Sequence, residues 1–132
     1  MTKRVLFLCP HGAAKSVLAA AYCQQLARER GLELVVDFAG TEPDTAVAPA
    51  VAQLLQSEGF DVSHYVPHCV TSEELMEADW IFSMGCALNE LPEAHKVVQW
   101  DDVPLPSQGL LVAREMILAH VKTFMDSIEG EI

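Results

Sequence analysis

The first hydrophobic stretch is continuous rather than alternating. Val5-Leu6-Phe7-Leu8-Cys9 contains no polar residue apart from the terminal thiol, and Pro10 and Gly12 close it. A short apolar run bounded by such residues predicts a strand covered on both faces, as in a parallel sheet. From Ser16 to about Arg30 the period changes. Leu18, Tyr22 and Leu26 recur at helical spacing, and Gly31 is a natural stop. Leu34 to Phe38 predicts a second strand closed by Gly40. A second helix is expected over Ala48–Glu58, with Val51, Leu54 and Leu55 as its apolar stripe and Pro49 in its first turn.

Thr71 or Ser72 is placed to cap a short third helix, with Glu73 and Glu74 favourable to its dipole. Trp80–Met84 predicts a third strand ending at Gly85, and Val97–Trp100 a short fourth. Asp101–Gly109 carries Pro104 and Pro106 and reads as a loop. The last helix is expected from about Leu110 to Ser127, with Leu110, Arg114, Ile117, Val121 and Phe124/Met125 along one side. Alternating strands and helices predict an α/β fold, a four-stranded parallel sheet between helices in three layers. Right-handed crossovers bring the strand ends to one edge, where such sheets bind ligands beside helix N-termini. Cys9, Gly85–Cys86 and the 101–109 loop all follow strands and should gather there.

The chain has 132 residues, half of them hydrophobic and a fifth charged. One domain spanning 1–132 with a substantial core is the expectation. The net charge of −11 disfavours nucleic acid and anionic membrane surfaces as partners. No run approaches the length of a membrane span, and the first apolar run is too short for a signal peptide. Four cysteines, Cys9, Cys23, Cys69 and Cys86, form no C-x-x-C element. Together these point to a cytoplasmic protein with reduced thiols.

The chemistry concentrates in Cys9-Pro10-His11-Gly12-Ala13-Ala14-Lys15-Ser16. A thiol ends a strand, and a cation and a hydroxyl follow as a helix begins. Successive amides, the helix dipole and the Lys15 charge form an anion cradle, a setting that favours thiolate. Ser16 is placed to donate to the sulfur, and the small residues Gly12, Ala13 and Ala14 let the backbone curl around a tetrahedral oxyanion. A nucleotide P-loop is disfavoured, because the motif's glycine before the lysine and its earlier glycine are both missing. Elsewhere, Cys23 and Trp100 read as core and Tyr65 as a packing residue. Arg114 and Glu115 read as surface charges. His64, His68 and Cys69 cluster locally, but no fourth ligand is evident, so no metal is expected. No cofactor is implied.

The loop resembles the C-x5-R-S signature of the low-molecular-weight tyrosine phosphatases and the related thiol-dependent arsenate reductases. The resemblance extends to Phe38-Ala39-Gly40-Thr41, Gly59-Phe60-Asp61-Val62-Ser63, Ala78–Cys86 and Trp100-Asp101-Asp102-Val103-Pro104. It implies that family's fold, a Cys9 nucleophile, and an oxyanion site formed by Pro10, His11, Gly12, Ala13, Ala14, Lys15 and Ser16. The implied substrate is phosphate, arsenate or a phosphoester. His11 and Met84-Gly85-Cys86 lean toward the arsenate reductases. On that branch Cys86 matches the first resolving cysteine, and an outside thiol such as thioredoxin would restore the enzyme.

Three positions depart from the family. Its loop arginine is Lys15, which keeps the charge but loses the bidentate fork. Its loop asparagine is Gly12, which can adopt the same left-handed turn. Its general-acid aspartate is Leu105, which cannot protonate a leaving group; Asp102 or Asp101 is the nearest substitute. The family's next cysteine would fall near Asn89 to Leu91, where none occurs. Weak or altered thiol catalysis is therefore expected, with a non-catalytic oxyanion-binding module as the alternative.

Overall fold

The computed structural model describes residues 2–86 and 97–130. Its sheet has four parallel strands in the order β2-β1-β3-β4: β1 (Lys3–Cys9), β2 (Leu34–Gly40), β3 (Trp80–Ser83) and β4 (Val97–Gln99). The helices are α1 (Lys15–Glu29), α2 (Pro49–Ser57), α3 (Ser72–Glu77) and α4 (Pro106–Ile128). β1 is central, which explains its unbroken apolar run: residues 5–9 are all buried.

Alternation along β1 divides the interior in two. Val5, Phe7 and Cys9 face the larger core, formed with α1 and α4 through Leu18, Tyr22, Ile117, Val121 and Met125. Leu6 and Leu8 face a smaller core with Leu75, Ala78, Ile81 and Cys86. Each fully buried Leu, Phe or Ile contributes roughly 1.5–3 kcal/mol, so both layers are substantial. An aromatic column crosses the larger core. Phe7 stacks on Phe82 (5.6 Å), Phe82 on Trp100 (4.4 Å), and Trp100 on His120 of α4 (4.7 Å, 10° between planes). Trp100 is thus a packing residue, as is Tyr65, whose ring meets Phe38 edge-on at 5.8 Å.

Thr71 caps α3 in a complete capping box with Glu74. The expected boundaries need one substantive correction. The main body of the last helix starts past Gly109, as expected, but an additional helical turn precedes it from Pro106, where a proline at the first helical position needs no partner for its missing N–H. Gly109 is non-helical and separates this opening turn from the main helix. The loop expected over 101–109 is therefore confined to 101–105.

Arg114 is also not an ordinary surface charge. Its Nε donates to Glu58 at 2.7 Å, its guanidinium lies over the Tyr22 ring, and it also pairs with Glu115. Tyr22 in turn donates to Glu58 at 2.5 Å. Burial and the Glu58 carboxylate hold the Tyr22 phenol well above its ordinary range.

Candidate active site

Cys9 ends β1, and its sulfur faces the N-terminus of α1. Sγ lies 3.1 Å from the Ser16 hydroxyl oxygen, and the Ser16 amide donates to it at 3.4 Å. Ser16 is fully buried and Cys9 is 4% exposed. The first amides of a helix lack intrahelical partners, so this sulfur takes up one of them and sits at the positive end of the dipole. If the thiol ionises, the hydroxyl can turn and donate as well.

The intervening loop is held from outside by the segment that follows β2. Carbonyls of Pro10, His11 and Ala13 accept the amides of Glu42 (2.7 Å), Asp44 (2.9 Å) and Ala48 (2.9 Å). No peptide bond among the described residues is cis, and a trans peptide points its carbonyl and its following N–H in opposite directions. The His11 and Ala14 amides therefore turn away from the 42–48 segment. Gly12 adopts φ 58°, the left-handed turn expected of it, and its amide donates to the Cys9 carbonyl at 3.2 Å. The loop also touches Gly40 backbone to backbone. A Cβ on Gly40 would lie 2.7 Å from the Gly12 nitrogen, and one on Gly12 would lie 2.9 Å from the Gly40 nitrogen.

His11 is exposed and braces the loop from outside. Its Nδ1 lies 3.1 Å from the Glu42 carbonyl and 3.4 Å from an Asp44 carboxylate oxygen. Lys15 is half-buried, and its ammonium donates to the Val103 carbonyl at 3.0 Å. The loop cation therefore ties the 9–16 loop to the 101–105 loop. Asp102 points to α4, where His120 Nε2 lies 2.8 Å and 3.1 Å from its carboxylate oxygens. Leu105 is 52% exposed and immediately precedes α4.

Cys86 is buried but belongs to the other core, on the opposite face of the sheet from Cys9. Its amide donates to the Ser83 hydroxyl at 3.4 Å. Burial pushes its thiol up and the charge of Cys9 adds to this, while hydrogen bonds from Ser83 and Thr41 act in the other direction. Gly85, at φ 92°, turns the chain over Pro10, 3.8 Å from where its Cβ would lie. The Asn89–Leu91 positions lie outside the described residues.

The remaining candidates separate from this site. Cys23 is core, and burial raises its thiol to about 12. His68 pairs with Glu74 at 2.7 Å and His64 lies 3.8 Å from Asp61. Among the described residues, no group of three or more His, Cys, Asp or Glu side chains is placed to hold a metal. Nor is any described helix long and apolar enough to cross a membrane. A cleft of about 450 Å³ lies between α1 and residues 58–65. It is lined by charges of both signs and by no thiol, so the Cys9 site is recognised by its donors rather than by cavity size.

Four contributors escaped sequence reasoning: Gly40, Thr41, Ser83 and His120. Ser83 had a signal, a polar residue inside an apolar strand, and a fully buried hydroxyl needs a partner. His120 had one too, falling at helical spacing between Ile117 and Phe124.

Residues 4–100 match the family model described as low molecular weight phosphotyrosine protein phosphatase. A relative from Halobacterium salinarum described as a putative arsenate reductase is 33% identical over 92 residues, which is 68% of this chain and 65% of the relative. The fold matches the thioredoxin-dependent arsenate reductase of Corynebacterium glutamicum with a TM-score of 0.84 at 23% identity, over 99% of this chain and 64% of that one. It matches a low molecular weight phosphotyrosine phosphatase from Vibrio cholerae with a TM-score of 0.86 at 22% identity, over 98% and 99% of the two chains. The chain thus spans about two thirds of the length of both arsenate reductase relatives. With the strand-end thiol, the curled loop and the four-stranded parallel sheet in place, this chain belongs to the low-molecular-weight phosphotyrosine protein phosphatase family.

Proposed function

We propose that this protein performs thiol-dependent oxyanion chemistry with Cys9 as nucleophile, on the arsenate reductase side of its family, and hydrolyses phosphoesters weakly. The observation that carries this reading is the Cys9 sulfur held 3.1 Å from the Ser16 hydroxyl and 3.4 Å from the Ser16 amide at the start of α1. That arrangement sets the sulfur beside an amide donor at the positive end of α1 and leaves the loop amides to receive a tetrahedral anion. The relatives described as arsenate reductases support the same direction.

In the first step the Cys9 thiolate attacks arsenate at arsenic. An S–As(V) bond forms and an arsenate oxygen leaves as water after protonation. In the second step Cys86, as thiolate, attacks the Cys9 sulfur. The S–S bond forms, the S–As bond breaks, and its electron pair leaves with arsenic as arsenite. Arsenic is reduced by two electrons and the two thiols are oxidised to a disulfide. An external dithiol of the thioredoxin type then reduces that disulfide. Neither step requires a general acid at Leu105, whereas release of a poor alkoxide from a phosphoester does. Reduced thiols in these roles suit a cytoplasmic setting.

A second reading, a phosphate-binding module without turnover, draws on two observations. The Lys15 ammonium is bonded to the Val103 carbonyl, and Leu105 stands where an acid is needed. Arsenite production with arsenate, thioredoxin, thioredoxin reductase and NADPH separates the two. The enzyme reading expects arsenite from wild type and none from Cys9→Ser, which still binds phosphate. Phosphate binding without arsenite, and without hydrolysis of an activated aryl phosphate, would establish the module instead.

A further inference from the structure

We infer that His120 is a positioning residue: through Asp102 it holds the 101–105 loop in place, and the Val103 carbonyl of that loop sets where the Lys15 ammonium stands at the start of α1. This rests on the anion-binding role proposed above for the Cys9–Ser16 loop.

The contacts form one chain from α4 to α1. The His120 ring stacks on Trp100, with centroids 4.7 Å apart and 10° between planes, and Trp100 stacks in turn on Phe82 in the larger core. The buried aromatic column thus fixes the imidazole. Its Nε2 lies 2.8 Å and 3.1 Å from the two Asp102 carboxylate oxygens. An ionised carboxylate only accepts, so Nε2 carries the proton and donates. Val103 comes next, and its carbonyl takes the Lys15 ammonium at 3.0 Å.

The anchors on either side show why the clasp falls at Asp102. The Trp100 amide donates to the Ser83 carbonyl at 2.8 Å, and the Val103 side chain is buried in the larger core. Between them Asp101 and Asp102 form an exposed turn, which His120 ties to α4. A lysine has three donors, so one engaged by Val103 leaves two for an anion. Rotamer freedom already removed in the free protein is not lost again on binding, and a fixed ammonium therefore binds more tightly than a free one.

The test labels amines with trace acetic anhydride, read by peptide mass spectrometry as the rate at Lys15 relative to Lys3, alongside phosphate titration by calorimetry. The proteins are wild type, His120→Phe, Asp102→Leu, Asp102→Asn, Lys15→Met and the double variant His120→Phe/Lys15→Met. His120→Phe keeps a ring against Trp100 and removes the donor. Asp102→Asn removes the charge and keeps an acceptor oxygen, whereas Asp102→Leu keeps neither. The expected result is faster Lys15 labelling in His120→Phe and Asp102→Leu, with a phosphate Kd higher by about threefold to tenfold. Asp102→Asn should stay near wild type, and His120→Phe should add nothing in the Lys15→Met background. Lys15 labelling in His120→Phe that matches wild type would overturn the inference, as would an equal loss of phosphate affinity with and without Lys15. If His120→Phe fails to fold, Asp102→Leu compared with Asp102→Asn decides, because that pair alters only the exposed turn. If wild type binds no phosphate, the anion role of the loop fails, and the labelling rates still decide whether His120 places the Lys15 ammonium.

Discussion

The Lys15 ammonium donates to the Val103 carbonyl at 3.0 Å, joining residues 88 apart in the chain. A lysine with three rotatable donors can hold this carbonyl and still project charge toward an anion, but it cannot grip two oxyanion edges in one plane. Lys15→Arg is therefore expected to raise kcat/KM for an activated aryl phosphate by about tenfold or more, through transition-state stabilisation. An unchanged rate would show that lysine does not limit turnover. Lys15→Met should weaken phosphate binding, measured by calorimetric titration.

Leu105 is exposed and leads directly into α4, two residues past the carbonyl that Lys15 holds. Leu105→Asp should speed hydrolysis of esters with poor leaving groups by about a hundredfold, and activated aryl phosphates far less, because only the former need a proton in the transition state. Equal acceleration across a leaving-group series would count against an acid at this position. Asp102, the nearest carboxylate in sequence, is held by His120 at both its oxygens.

The Gly12–Gly40 contact leaves no room for a methyl group on either residue. Gly40→Ala would force the backbones of β2 and the loop apart, and should cost about 1–3 kcal/mol of stability together with most of the phosphate affinity. Denaturant unfolding and a phosphate titration followed by amide NMR shifts would check this. Retained affinity at reduced stability would mean that the loop keeps its shape without the contact.

Cys23 lies at the centre of the larger core, and burial raises its thiol to about 12. The unfolded thiol ionises near its ordinary value while the folded one keeps its proton. The unfolded state then binds fewer protons, so stability falls as pH rises from about 8.5 toward 12, by at most about 1.4 kcal/mol per pH unit for this group. Below that window the effect is absent. Cys23→Ala should lose stability through the cavity it leaves, and its unfolding free energy should decline less steeply between pH 9 and 10.5. Parallel slopes for the two proteins would show that Cys23 does not carry the alkaline loss.

Much of this was legible in sequence because the informative residues are local. Cys9 through Ser16 are consecutive, and a strand-end thiol before a helix start has few physical readings. The unbroken apolar run of β1 signalled a strand covered on both faces, which the sheet order β2-β1-β3-β4 bears out. The partners brought in by the fold were not legible. Nothing adjacent to Lys15 points to Val103, and nothing near Glu58 identifies Tyr22 and Arg114 as its donors. Arg114 looked like solvent-facing charge because its pattern neighbours are apolar and its partner lies on another helix. The short turn that opens α4 read as loop because Pro104 and Pro106 look alike in sequence, although only the second stands at a first helical position.

The division of the two sulfurs between opposite faces of the sheet has a chemical consequence. A pair of thiols lying side by side is readily joined by an oxidant such as peroxide. Here the two sulfurs pack into different cores, so a disulfide between them would require the turn at Gly85 to shift.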